Sequence, residues 1–148
     1  MKGEPIVILL VEDDLAHIEM IKRTFEESRL ANRLISVEDG QIALDYLYRK
    51  GNYKDAVKFP MPNLILLDLR LPKVDGLEVL KTIKSDQKFS IIPVVILTTS
   101  SAEADMVKSY ECHANSYLVK PVDFNQFTKL MEIFGYYWLA WNQYPHET

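Results

Sequence analysis

The sequence predicts an α/β fold in which short buried strands alternate with amphipathic helices. Three observations carry this. First, Ile6–Val11, Leu64–Leu67 and Val94–Leu97 are unbroken apolar runs, the pattern of strands buried on both faces, as in a parallel sheet with helices on either side. Second, most segments between the strands repeat apolar residues at intervals of three and four, the period of a helix packed by one face. Strand then helix, five times over, predicts a doubly wound (βα)5 domain with all strands pointing to one rim. Third, each of those three runs ends in polar chemistry, where an open parallel sheet has its ligand crevice.

Length and composition set the outer limits. A chain of 148 residues, 48% apolar and 26% charged, suits one soluble domain with a sizeable core. A net charge of −4 gives no basic footprint for nucleic acid. The single cysteine, Cys112, excludes an intrachain disulfide and a thiolate cluster, which fits a reducing cytoplasm. The apolar run at Ile6–Val11 is too short for a signal peptide or a membrane span, so no membrane association is expected.

In chain order, Ile6–Val11 runs into Glu12, Asp13 and Asp14, and Asp14 is placed to cap the following helix. That helix extends from Leu15 to about Arg29, with Ile18, Ile21 and Phe25 inward. Leu34–Val37 is a short strand, and Ile42, Ala43, Tyr46 and Leu47 mark the next helix. The stretch from Gly51 to Pro62 has no clear period and two prolines. A loop of that length is uncommon in a compact domain, and it reads equally well as a functional element or a tolerated insertion.

Leu64–Leu67 ends in Asp68, followed by Leu-Arg-Leu-Pro and the Asp75-Gly76 pair that opens a helix with Leu77, Leu80 and Ile83 inward. Val94–Leu97 leads to Thr98 at the strand end, then Thr99, Ser100 and Ser101, the last two suited to cap a helix beginning near Ala102. Cys112 and His113 close that weakly patterned helix, and without further partners they make no metal site. Ser116–Val119 is the fifth strand and ends in Lys120-Pro121. The last helix starts near Asp123 and carries Phe124, Phe127, Leu130, Met131, Phe134, Trp138 and Trp141.

The common rim therefore holds Glu12, Asp13, Asp68, Thr98 and Lys120. Two carboxylates at ~4 Å with an effective dielectric of ~20 repel by roughly 4 kcal/mol, so such a cluster persists when a cation offsets it. Carboxylate oxygens with open positions suit Mg²⁺ awaiting a phosphate ligand. A metal, an ammonium and a hydroxyl around one carboxylate suit phosphoryl transfer to that carboxylate, with Asp68 as nucleophile.

The segments ILLVEDD, LILLDLRLPKVDG, VVILTTS and SYLVKP, in this order and spacing, resemble the receiver domain of two-component response regulators. The resemblance spans nearly the whole chain, residues 1–148, as one domain with an aromatic helix end and tail over about 134–148. It implies the flavodoxin-like strand order 2-1-3-4-5. It implies that Asp68 accepts a phosphoryl group from a histidine kinase, and that Glu12, Asp13, Asp68 and the backbone carbonyl of Arg70 hold Mg²⁺. Thr98 and Lys120 would contact the phosphoryl oxygens, and Tyr117 would be the aromatic switch; a cis Lys120-Pro121 bond is also implied. Such a protein is no enzyme in the ordinary sense but assists its own Mg²⁺-dependent phosphorylation and dephosphorylation. Glu12 stands where the family more often has Asp, and Thr99 where it usually has a smaller residue, which implies slower access to the phosphoryl group.

With no output domain expected after the last helix, the signal leaves through a surface. The Gly51–Pro62 loop and the ending GYYWLAWNQYP resemble the small response regulators of phytochrome histidine kinases, implying a light-sensing kinase partner and a homodimer. Phe134, Tyr137, Trp138 and Trp141 are the interface candidates, because Tyr136, Tyr137, Trp138 and Trp141 cannot all face one core from a single helix; the alternative is a helix extension folded back on its own domain. Three rivals stand beside this reading. An aspartate-nucleophile phosphatase needs a second Asp where Arg70 stands, and a flavin module needs a Ser/Thr/Gly phosphate loop where the sequence is acidic. A receiver-like scaffold or dimerisation module that takes no phosphate is separable only by chemistry.

Overall fold

The computed structural model describes residues 5–28, 31–98 and 113–141, with the backbone alone for Trp141. Five parallel strands, β1 (Ile6–Val11), β2 (Asn32–Val37), β3 (Leu64–Leu67), β4 (Val94–Thr98) and β5 (Ser116–Val119), form one sheet in the order β2-β1-β3-β4-β5. This is the doubly wound order implied above. Four described helices pack on it: α1 (Leu15–Glu26), α2 (Gly40–Leu47), α3 (Gly76–Ser85) and α4 (Phe124–Tyr136).

Because side chains alternate across a strand, the continuous apolar runs feed two cores at once. Leu9, Val11, Ile65, Leu67, Val94 and Ile96 face α2 and α3, where Ala43, Tyr46, Leu47, Val79, Leu80 and Ile83 are buried. Ile8, Leu10, Leu64, Leu66, Val95 and Leu97 face α1 and α4, meeting Ile18, Ile21, Phe25, Phe127, Met131 and Phe134.

Each described α-helix begins on an aspartate that accepts backbone N–H groups otherwise left without partners. Asp14 accepts from Ala16 and His17, Asp39 from Ile42, Asp75 from Leu77, and Asp123 from Asn125 and Gln126. The second helix starts at Gly40, capped by Asp39, and the first ends at Glu26, where the Glu27 N–H still donates to Arg23 but the Ser28 N–H tightens to the Phe25 carbonyl. β2 begins two residues earlier than expected because Ile6 pairs with Asn32. The helix expected after Ala102, together with Thr99, Ser100, Ser101 and Cys112, lies outside the described residues.

Two expectations need correction. The Lys120-Pro121 peptide is trans, there being no cis bond among the described residues, and trans is the cheaper isomer by about 0.5–1 kcal/mol. Of the interface candidates, Phe134 and Trp138 are only 5% and 8% exposed, folded into this chain's own core. Phe134 meets the Phe25 ring edge-on with centroids 6.2 Å apart, and Trp138 lies 6.1 Å from Phe134. The helical turn changes to a π-type turn over Tyr137–Trp141, which shifts the register of these residues around the helix. Tyr136 and Tyr137 stay exposed. The Trp141 side chain is outside the described residues.

The loop between α2 and β3 is packed. It opens with a short 3-10 turn at Gly51–Tyr53, and Tyr46, Tyr53 and Phe59 meet at centroid distances of 4.9–6.0 Å. Its carbonyls are taken from the body of the domain: the Tyr46 hydroxyl donates to Pro60 at 2.6 Å and Arg49 to Phe59 at 2.9 Å.

Candidate functional site

The sheet register assembles the site. Val11, Leu67 and Ile96 are lateral partners on adjacent strands, so the residues just beyond them emerge side by side. Backbone bonds continue the ladder past the strand ends. The Glu12 N–H donates to the Val37 carbonyl, the Asp68 N–H to Val11 and the Lys120 N–H to Thr98, at 3.0, 3.0 and 2.8 Å. Glu12, Asp68, Thr98 and Lys120 are all buried, a concentration of polar side chains that needs mutual satisfaction.

That satisfaction is complete among the described residues, where no buried side-chain nitrogen or oxygen lacks a partner. The Lys120 ammonium donates to Asp68 Oδ2 at 2.8 Å and to Glu12 Oε1. The other oxygen of Asp68 accepts the Arg70 N–H at 2.8 Å, and Glu12 Oε2 accepts the Asp13 and Asp14 N–H groups at 3.1 and 3.2 Å. Asp13 itself is exposed. Glu12, Asp13 and Asp68 each bring an oxygen within 4.8 Å of the others. An all-carboxylate donor set of this span, one member open to solvent, fits a hard divalent cation.

The electrostatics agree with a site short of one positive charge. Burial pushes the Glu12 carboxyl up to about 7, and the Asp68 charge adds to this while Lys120 opposes it. For Lys120, burial pulls its pKa down, but the hydrogen bonds to Asp68 and Glu12 outweigh that and raise it above the ordinary lysine value.

The loop after Asp68 is clamped by backbone packing. A Cβ on Gly76 would stand 2.4 Å from the Asp68 carbonyl oxygen and 2.5 Å from Leu69 Cα. On the other side, a Cβ on Gly40 would meet the Val74 carbonyl at 1.9 Å. Both positions need glycine for close approach. Asp13, Arg70, Lys73 and Asp75 line an open cleft of about 390 Å³ beside this loop.

The sequence-predicted Glu12, Asp13, Asp68 and Lys120 are thus brought together, and buried Thr98 joins them through its carbonyl bond to Lys120. Tyr117 sits half-buried on β5, packed against the α2–α3 core. Sequence reasoning missed His17, whose Nδ1 lies 3.0 Å from Lys120 Nζ. The available signal was its place one helical turn beyond Asp14, on the first turn of the helix leaving the acidic rim.

A doubly wound sheet with a strand-end aspartate, two further acids and a bonded lysine defines the class of phosphoacceptor receiver modules. The response regulator receiver domain model matches residues 8–132, and the chain belongs to that family. It is 45% identical to the probable methanogenesis regulatory protein FilR2 of Methanothrix harundinacea, over 96% of this chain and 89% of that protein. It is 43% identical to the response regulator Rcp1 of Synechocystis sp., over 91% of this chain and 90% of that one. The Mn²⁺-bound structure of Rcp1 superposes with a TM-score of 0.91 at 42% identity, covering 96% of this chain and 100% of that one. The phosphorylated cyanobacterial phytochrome response regulator RcpA gives the same TM-score at 39% identity, covering 97% and 100%.

Proposed function

We propose that this protein is a two-component response regulator whose Asp68 accepts a phosphoryl group from a histidine kinase. The observation that carries this is the Lys120 ammonium bonded to Asp68 Oδ2 within a three-carboxylate cluster at the sheet rim. An Asp68 oxygen attacks phosphorus, the O–P bond forms as the P–N bond to the kinase imidazole breaks, and the imidazole leaves. Charge on the transferred group spreads over three oxygens, so positioned positive charge and hydrogen-bond donors do most of the catalytic work. Lys120 supplies the ammonium, the Thr98 hydroxyl a donor, and the Arg70 N–H fixes the carboxylate orientation. Glu12, Asp13, Asp68 and the Arg70 carbonyl would hold Mg²⁺, which when bound neutralises phosphoryl charge. The carboxylate donor set and the Mn²⁺ in the Rcp1 structure support this assignment.

On this reading the chain is one receiver domain over residues 1–148, working in the cytoplasm, a phosphoacceptor rather than a turnover enzyme. No described helix is long and apolar enough to cross a membrane. Phosphorylation draws Thr98 toward the new oxygens and Tyr117 into the space released, which repacks the surface beside β5. A homodimer would use the exposed part of the C-terminal helix, where Tyr136 and Tyr137 remain open, in place of Phe134 and Trp138.

The partner is a phytochrome histidine kinase, a reading supported by the likeness to RcpA. The likeness to FilR2 favours a second reading, a kinase of another input. Phosphotransfer profiling separates them: a phytochrome kinase should phosphorylate the protein, but not Asp68→Asn, in a light-dependent manner within minutes. Transfer only from kinases without a bilin sensor would overturn the phytochrome assignment and leave the phosphoacceptor role standing.

A further inference from the structure

Lys120 has three ammonium protons and three side-chain acceptors. Two are the Glu12 and Asp68 carboxylates already described. The third is His17 Nδ1 at 3.0 Å, on the first turn of α1. Lysine is all donor, so the contact requires the ring to be the Nε2–H tautomer with Nδ1 accepting. The imidazole is held in that pose from a second direction. Its edge packs on the Phe127 ring of the C-terminal helix, with centroids 5.0 Å apart and planes at 70°. Phe127 is 1% exposed, and Lys120 Nζ lies 5.9 Å from its ring.

We propose that His17 is a positioning residue for phosphoryl transfer, its Nδ1 fixing the rotation of the Lys120 ammonium so that one proton stays aimed at the phosphoacceptor oxygen. This rests on the phosphoacceptor reading of Asp68. Two carboxylate bonds hold the ammonium but leave its third proton to be placed, and orientation of a charge near the reacting oxygens is what this chemistry draws on. Phe127 extends the chain of contact to α4, so packing of the C-terminal helix reaches the catalytic lysine through the imidazole as well as directly from the Phe127 ring.

The test compares wild type with His17→Asn, His17→Gln and His17→Phe. Asparagine can place its side-chain oxygen near the position of Nδ1, glutamine reaches instead toward that of Nε2, and phenylalanine keeps only the ring packing. Phosphorylation by acetyl phosphate with Mg²⁺ is followed over a range of donor concentrations. The maximal rate constant should fall about five- to tenfold in His17→Phe and His17→Gln, with half-saturating donor unchanged, and recover to within about twofold in His17→Asn, as for one hydrogen bond of ordinary net worth. In the wild type, ¹⁵N NMR of the imidazole should show Nδ1 unprotonated and Nε2 protonated, both shifting in Lys120→Met. Equal maximal rates in all four proteins, or a protonated Nδ1, would overturn the inference. Failure of the wild type to gain any phosphoryl group from any donor would strike the phosphoacceptor reading instead.

Discussion

Replacing Lys120 with alanine removes an ammonium that bonds two buried carboxylates, and the cost follows from the geometry. Glu12 and Asp68 bring oxygens within 4.8 Å, where two unit charges at an effective dielectric of ~20 repel by about 3–4 kcal/mol. That agrees with the ~3–5 kcal/mol expected on breaking a buried ion pair from one side. Urea unfolding of Lys120→Ala in EDTA near pH 8 should therefore show a loss of about 3–4 kcal/mol against wild type. Two further dependences identify the cause. Saturating Mg²⁺ should return much of the loss, since a cation between the carboxylates replaces the missing charge. Acid should return it too. The folded pKa of Glu12 is raised from 4.5 to about 7, so its ionised form opposes folding. That penalty is full above the folded pKa and fades as pH falls toward the unfolded value. Without Lys120, which lowers this pKa, the relief begins at higher pH than in wild type. A loss under about 1 kcal/mol, or one indifferent to both Mg²⁺ and pH, would refute the charge argument.

Three other outcomes follow from the same structure. Divalent-cation affinity, measured by calorimetry, should weaken as pH falls through about 7, because Glu12 binds metal only when ionised; Glu12→Gln should remove much of that dependence. Gly76→Ala should cost about 1–3 kcal/mol in chemical denaturation and slow phosphorylation as well, since its Cβ meets backbone of Asp68 and Leu69 rather than a movable side chain. Phe134→Ala should lose about 3–5 kcal/mol as a core truncation, whereas Tyr136→Ala, on an exposed position, should change stability by less than about 0.5 kcal/mol and show its effect only in sedimentation.

The parts of the fold most legible in the sequence were those set by local rules. Unbroken apolar strands such as Leu64–Leu67 announce burial on two faces, and a strand that ends in Asp68 announces the rim. Asp14 and Asp123 could be read as helix starts because capping needs only the next few residues. Contacts between distant segments were less legible. Whether Phe134 and Trp138 turn inward depends on a Phe25 ring more than a hundred residues away and on the π-type turn at Tyr137–Trp141, neither visible as periodicity. The Gly51–Pro62 loop looked unpatterned because its order comes from three aromatic rings and from Arg49 and Tyr46 outside it. His17 went unread for the same reason. Its partner Lys120 is brought to it by strand register, not by sequence distance.

The central claim is that Asp68 is a phosphoacceptor, and intact mass tests it most directly. Incubation with acetyl phosphate and Mg²⁺ should add one phosphoryl group, about 80 Da, to the wild type and none to Asp68→Asn or to the wild type in EDTA. An adduct that persists in Asp68→Asn, or a wild type left unmodified by acetyl phosphate, by histidine kinases and by a beryllofluoride mimic alike, would contradict it and favour a scaffold that signals without phosphate.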